Sequence, residues 1–327
     1  MRILYVGPNR IGDAVLSSGL LNFLCRNYPE ARFTVACGAP AAPLFEALPG
    51  LERLIPVHKK PRGGHWLKLW RDVVGQRWSL VVDLRRSPIP WTVWNTRRAI
   101  APSSSGREEH AVVSFSRTLG LSESPLIPHL WMGEKHHAAA AKLMPKDVPV
   151  VAVAPTANWK GKIWPAERFV KAIRRLTVVG NTSAEAILPG AMVAVLGAGS
   201  ERAAATPVLK AFPADRVIDL VGTQDLPTIG ACLTQSSLFV GNDSGLMHMS
   251  AAAGVPTVGL FGPSRPERYA PWGSRATWVT TTKPFSELVG GTGYDHRTTD
   301  TLMDSLSVDD VVRASTTLWQ RMGEEKK

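Results

Sequence analysis

An α/β fold in two domains is what this sequence predicts, and three observations predict it. Short apolar runs of strand length alternate with longer segments of helical spacing, the order a parallel sheet with crossover helices requires. Two of those runs lead into a glycine-bearing polar turn and then a helix, one near the N-terminus and one in the second half. The 327 residues, 44% of them hydrophobic, suffice for two cores of ordinary domain size.

The first element is the apolar run at residues 3–6, followed by a Gly/Pro/Asn turn and a helix-spaced stretch over residues 13–24. Further strands are expected at 33–36, 54–57 and 80–84, with Pro56 making the second the least secure. Residues 141–147 close a helical stretch at Pro145, and a buried strand follows at 150–154. The domain boundary is expected there, giving a first domain over 1–147 and a second over 148–306. Strands at 192–196, 238–240 and 257–261 build the second sheet. A last helix over 308–319, opened by Ser307 as N-cap, lies in a C-terminal segment, 307–327, that has the option of packing back on the first domain.

Three cysteines, Cys25, Cys37 and Cys232, show no metal-ligand spacing, which points to a reducing compartment and to the cytoplasm. The first apolar run is too short for a signal peptide, and none approaches the roughly 18 residues of a membrane span. A soluble protein, peripheral to a membrane at most, is the expectation. The net charge of +11 is uneven: residues 1–150 carry 20 Lys and Arg against 11 Asp and Glu, residues 151–327 carry 18 against 16. The basic first half suits a polyanion, whether nucleic acid, an anionic membrane or a phosphorylated substrate.

The clearest chemical signal is Asn242-Asp243-Ser244-Gly245-Leu246-Met247-His248, a polar turn between a strand and a small-residue helix. The backbone amides that open such a helix have no intrahelical partners, so the turn is a ready anion site. The bland alternative is a helix capped by Asp243 or Ser244, with His248 a satisfied half-buried histidine. Glu201, after the turn Gly197-Ala198-Gly199, has the chemistry to accept from ribose hydroxyls or to be a solvated carboxylate. The turn from Gly7 to Asp13 has the glycine spacing of a P-loop, but a carboxylate stands where the phosphate-binding lysine belongs, so an ATPase reading fails. Asp13, at a helix start that favours its ionised form, suits a general base or a plain N-cap. Lys59, Lys60, Arg62, Arg85 and Arg97 lie in two segments interleaved with tryptophan, which suit an anionic interface or a merely solvated basic face.

Together these motifs resemble the bacterial ADP-heptose:lipopolysaccharide heptosyltransferases, glycosyltransferase family 9. The resemblance rests on the Gly12-Asp13 turn, on Lys162-Ile163-Trp164-Pro165 with Glu167-Arg168-Phe169, and on Asn242-Asp243-Ser244-Gly245 with His248 and Phe261-Gly262-Pro263-Ser264. It implies a GT-B fold, two Rossmann-like domains facing a central cleft, with the acceptor on the first and the nucleotide sugar on the second. By the resemblance Asp13 is the catalytic base, Lys162 the donor-phosphate cation and Glu201 the ribose partner. Asp243, Ser244 and Gly245 form the donor-phosphate turn, and His248 matches the motif.

The reaction so implied is metal-independent, inverting transfer of a heptose from ADP-heptose to the anionic inner core of lipopolysaccharide. No cofactor is implied, nor nucleic acid, and the enzyme would work peripherally at the inner face of the inner membrane. Two departures stand out: a polar insertion at 180–185, and a late segment from 293–297 through 302–303 without the cysteines many relatives carry. The alternatives are a relative using another nucleotide sugar or acceptor and, more distantly, a basic nucleic-acid-binding protein.

Overall fold

The computed structural model describes residues 1–103, 108–179, 186–290, 295 and 299–324. The expected insertion at 180–185, the segment at 293–297 apart from residue 295, and the tail at 325–327 lie outside the described residues. Two compact units divide the chain, Met1–Gly133 and Glu134–Lys327.

The first unit runs β1 (Arg2–Val6), α1 (Ile11–Asn27), β2 (Arg32–Gly38), β3 (Leu51–Val57), α2 (Gly64–Val73), β4 (Trp78–Asp83), α3 (Ile89–Thr92), β5 (Asn95–Ile100) and α4 (Ala111–Ser116). Its five strands pair in parallel in the order β3-β2-β1-β4-β5. Residues 3–6 are wholly apolar and buried, as a central parallel strand covered on both faces must be. Pro56 is tolerated because β3 is an edge strand, where a missing amide interrupts the ladder on one side only. Leu69, Val73 and Ile89 from α2 and α3 cover Leu4, Val6 and Val81 on one face of the sheet.

The second unit opens with α5 (Glu134–Leu143), β6 (Val150–Ala154), α6 (Ala166–Thr177), β7 (Met192–Gly197), α7 (Arg202–Leu209) and β8 (Val217–Val221). It continues through α8 (Leu226–Thr234), β9 (Leu238–Asn242), α9 (Gly245–Ala252), β10 (Thr257–Phe261), α10 (Pro266–Tyr269), β11 (Ala276–Thr280), α11 (Phe285–Val289) and α12 (Val308–Glu324). Six parallel strands pair as β11-β10-β9-β6-β7-β8.

The compact units and the expected domains are bounded differently. The division falls at Gly133/Glu134 rather than after residue 147, because α5 packs against α8 and buries His136 and Ala140. The final helix has Ser307 at its start, whose Oγ accepts from the Asp310 amide at 3.1 Å. In the second unit Val311, Val312, Leu318 and Met322 join the core under α6 and β10.

One glycine is demanded by a close approach. A Cβ on Gly38, at the end of β2, would stand 2.3 Å from the Asn9 carbonyl oxygen and 2.5 Å from its Cα. Both are backbone atoms, and the Gly38 amide donates to Pro8 O at 3.0 Å, so the turn leading into α1 is seated on this glycine. Gly38→Ala is expected to lower stability by about 1–3 kcal/mol, the usual cost of overpacking. A thermal melt of the variant beside the wild type checks it, and an unchanged melting temperature would show that the turn accommodates the added methyl group.

Candidate functional site

In each sheet the first strand is central, and the chain leaves it in opposite directions: β1 lies between β2 and β4, β6 between β9 and β7. At such a switch point the loops beyond the carboxyl ends diverge and open a crevice, the usual ligand position in a doubly wound sheet. In the second unit the loop after β6 carries Lys162 and the loop after β9 carries Asp243, Ser244 and Gly245. Residues 81 apart in sequence therefore meet: Lys162 Nζ donates to Asp243 Oδ2 at 2.5 Å. Asp243 is 6% exposed, and its amide donates to Leu260 O, which holds it in register at the sheet edge. His248, 4% exposed and one turn into α9, places Nε2 3.9 Å from Asp243 Oδ1.

Trp164 explains why the lysine loop is held so closely. Fully buried, it packs edge-on against Phe169 with ring centroids 4.9 Å apart and donates from Nε1 to Leu306 O. Its amide donates to Asn242 Oδ1 at 3.1 Å, which ties the loop to the strand bearing Asp243. Pro165 then stands just before α6 and ends the loop.

The capped-helix alternative does not describe the start of α9. Ser244 occupies the N-cap position, but its side chain makes no capping bond, and its buried Oγ has no hydrogen-bond partner. Asp243, for its part, is engaged by Lys162. The amides at the helix start, with the positive end of the helix dipole, are thus directed at the same place as a lysine. Asn242 Nδ2 and Ser264 Oγ, at the ends of β9 and β10, are also buried and unpartnered. Unpartnered polar groups beside a lysine and a helix start at one sheet edge suit an anionic oxygen-rich ligand.

Glu201 lies in the short turn after β7, half-buried rather than solvated. Its Oε2 accepts from Thr156 Oγ1 at 2.9 Å and from the Ala198 amide at 2.8 Å. Since Thr156 follows β6, the carboxylate joins two loops of the same sheet edge.

In the first unit Asp13 occupies the first turn of α1, three residues after the N-cap position held by Arg10. It is therefore not an N-cap, and the helix dipole favours its ionised form. The switch-point partner of this turn is the loop after β4, which opens with Asp83. That residue is fully buried and accepts from the Arg85 amide, the Ser87 amide and Ser87 Oγ at 2.8, 2.6 and 2.7 Å. Burial pushes its carboxyl above the ordinary range even though these bonds oppose the shift. Arg86 has a positive φ of 53°, a backbone state costly for a side-chain-bearing residue, so the Asp83 anchor holds a strained turn.

Arg85 stacks over Trp66 at 4.5 Å, and exposed Lys59, Lys60 and Arg62 follow the carboxyl end of β3. These four share the edge with Asp13. Arg97 does not: it pairs with Leu80 within edge strand β5, several residues short of Asp83, which pairs with Ile100.

Sequence reasoning missed Asp83, which reads only as the end of an apolar run. It also missed Thr156, a polar residue just after β6, a position that in a parallel sheet is itself a signal. Burial pushes the Cys37 thiol up to about 12 and those of Cys25 and Cys232 to about 11, so no thiolate nucleophile is offered at neutral pH. Among the described residues no three His, Cys, Asp or Glu cluster as metal ligands, and no helix is long and apolar enough to cross a membrane.

Two doubly wound parallel units with polar groups at their carboxyl edges are the architecture of the GT-B class. Solved members overlay on most of the chain. A glycosyltransferase family 9 protein from Veillonella parvula DSM 2008 matches with a TM-score of 0.77 at 20% identity, covering 98% of this chain and 97% of that one. The E. coli ADP-heptose lps heptosyltransferase II matches with a TM-score of 0.74 at 22% identity, covering 99% and 100%. The chain belongs to glycosyltransferase family 9 (heptosyltransferase), whose model matches residues 75–289. The lipopolysaccharide heptosyltransferase 2 of Salmonella typhimurium is 24% identical over 314 residues, 84% of this chain and 87% of the relative.

Proposed function

We propose that this enzyme transfers a heptose from ADP-heptose to the anionic inner core of lipopolysaccharide, with inversion and without a resident metal. The carrying observation is the Lys162–Asp243 pair beside the uncapped start of α9 at the switch point of the second sheet. The second unit takes the nucleotide sugar and the first unit the acceptor.

The acceptor hydroxyl attacks the anomeric carbon, the bond to the diphosphate oxygen breaks, and Asp13 takes the hydroxyl proton. Negative charge accumulates on the departing ADP. Lys162 and the amides at Ser244 and Gly245 stabilise it there, supplying the cationic field that a metal provides in other transferases. His248 bears on the same charge through Asp243, and Glu201 accepts from the ribose through the lone pairs its two internal bonds leave. Lys59, Lys60, Arg62 and Arg85 draw the acceptor's phosphates and carboxylates to the Asp13 edge. Arg97 is the weakest of the acceptor residues, since it stands away from that edge. A lipid-linked acceptor places the work at the inner face of the inner membrane.

Similarity to relatives whose names specify ADP-heptose and lipopolysaccharide supports the choice of donor and acceptor. Purified protein supplied with a panel of nucleotide sugars and a core acceptor should release nucleotide from ADP-heptose, and only when acceptor is present. Release confined to a different donor would replace the heptose with another sugar.

A further inference from the structure

Two exposed tryptophans in the first unit are roofed by arginines that the proposed chemistry does not use. Trp91, at the end of α3, is 63% exposed, and the Arg98 guanidinium lies 3.6 Å from its ring centroid. Trp94, before β5, is 65% exposed, with Arg77 at 4.2 Å. Among the described residues no carboxylate pairs with either arginine. From residue 84 to residue 107 the sequence holds five arginines and no Asp or Glu, and Asp83 just before it is fully buried. Across residues 58–107 the count is eleven Lys and Arg against two acids.

An indole left in water is unfavourable, and a guanidinium stacked on its face still presents its edge N–H groups outward. That combination fits a phase boundary. The indole settles among headgroups and the guanidinium fork meets phosphate oxygens, while the scarcity of carboxylates in this stretch of sequence keeps repulsion low. We propose that the face formed by Arg77, Trp91, Trp94 and Arg98 docks the protein on a bilayer bearing anionic phospholipid headgroups. Charge complementarity selects this occupant. Nucleic acid would use the same charge, but in each pair an arginine already occupies one of the indole faces on which a base would stack.

The proposal builds on the membrane-linked acceptor above, but the vesicle binding that decides it uses neither donor nor acceptor, so the two readings fail separately. The intact protein is sedimented with phosphatidylcholine vesicles with and without phosphatidylglycerol, across a salt series. Binding should require phosphatidylglycerol and weaken with salt. Arg77→Gln with Arg98→Gln should weaken it about 30-fold, taking each basic residue near an anionic surface at its usual contribution. Trp91→Ala with Trp94→Ala should weaken it even at low salt, while ADP release with a soluble acceptor fragment stays unchanged in both variants. Equal binding by the arginine variant and wild type, equal binding to phosphatidylcholine alone, or tighter binding to single-stranded RNA than to anionic vesicles would each overturn it. Should a variant fold poorly, wild-type protein still decides: no anionic-vesicle binding at low salt ends the proposal.

Discussion

Asp13→Asn is expected to cut transfer by about 10²- to 10⁴-fold, the range general-base catalysis supplies, while leaving donor binding within a few-fold of wild type. The substitution keeps the shape of the side chain in the first turn of α1 and removes only its capacity to take a proton. The structural cost is small, since loss of one favourable charge–dipole interaction is about 0.3–1 kcal/mol. Titration calorimetry with ADP and a steady-state assay separate the two effects. A base at this position also makes turnover fall below the pKa of its carboxyl, and the asparagine variant should lose that acidic limb. Unchanged turnover would remove Asp13 from the base role, and loss of ADP affinity together with turnover would move it to donor binding.

Lys162→Ala should cost both stability and donor affinity, and the two losses can be told apart. Asp243 is buried, so removing its partner leaves a carboxylate with little water to solvate it. Breaking a buried pair costs about 3–5 kcal/mol, and the partial exposure of the lysine places this one toward the lower end. A melting-temperature drop of several degrees is expected at about 2–4 °C per kcal/mol for a unit of this size. Asp243→Asn in the same background removes the stranded charge. The double variant should recover most of the stability but none of the turnover, because the cation that meets the leaving diphosphate is still absent. Recovery of turnover in the double variant would show that Lys162 serves only to neutralise Asp243.

These two residues also mark how far the sequence could be read. Every strand found from an apolar run lies where expected, and α1 and α12 follow from their spacing and starts. The strands that escaped notice are β5, β8 and β11, and each is the edge of its sheet or its outermost member. An edge strand is half exposed, so it carries residues such as Arg97, Arg98, Asp219 or Trp278 in place of a continuous apolar run. The basic segment around Arg97 looked like a charged face because it is one, on a strand. The division between the compact units lies ahead of the expected boundary for a related reason: α5 is a short Ala-rich helix whose sequence does not say which unit will bury it.

What the sequence determined by itself was the α/β class, the central strands, and the polar turns that precede α1 and α9. These depend on local properties, namely apolar period, glycine position and the free amides at a helix start, and local properties are legible within a dozen residues. Tertiary structure decided the partnerships. It placed Lys162 on Asp243 across 81 positions, had Trp164 and Asn242 brace that contact, and seated the Asp13 turn against Gly38. It also showed that Ser244 stands at the cap position without capping. Strand order brings such residues together, and strand order is set by how the central and edge strands share burial over the whole sheet.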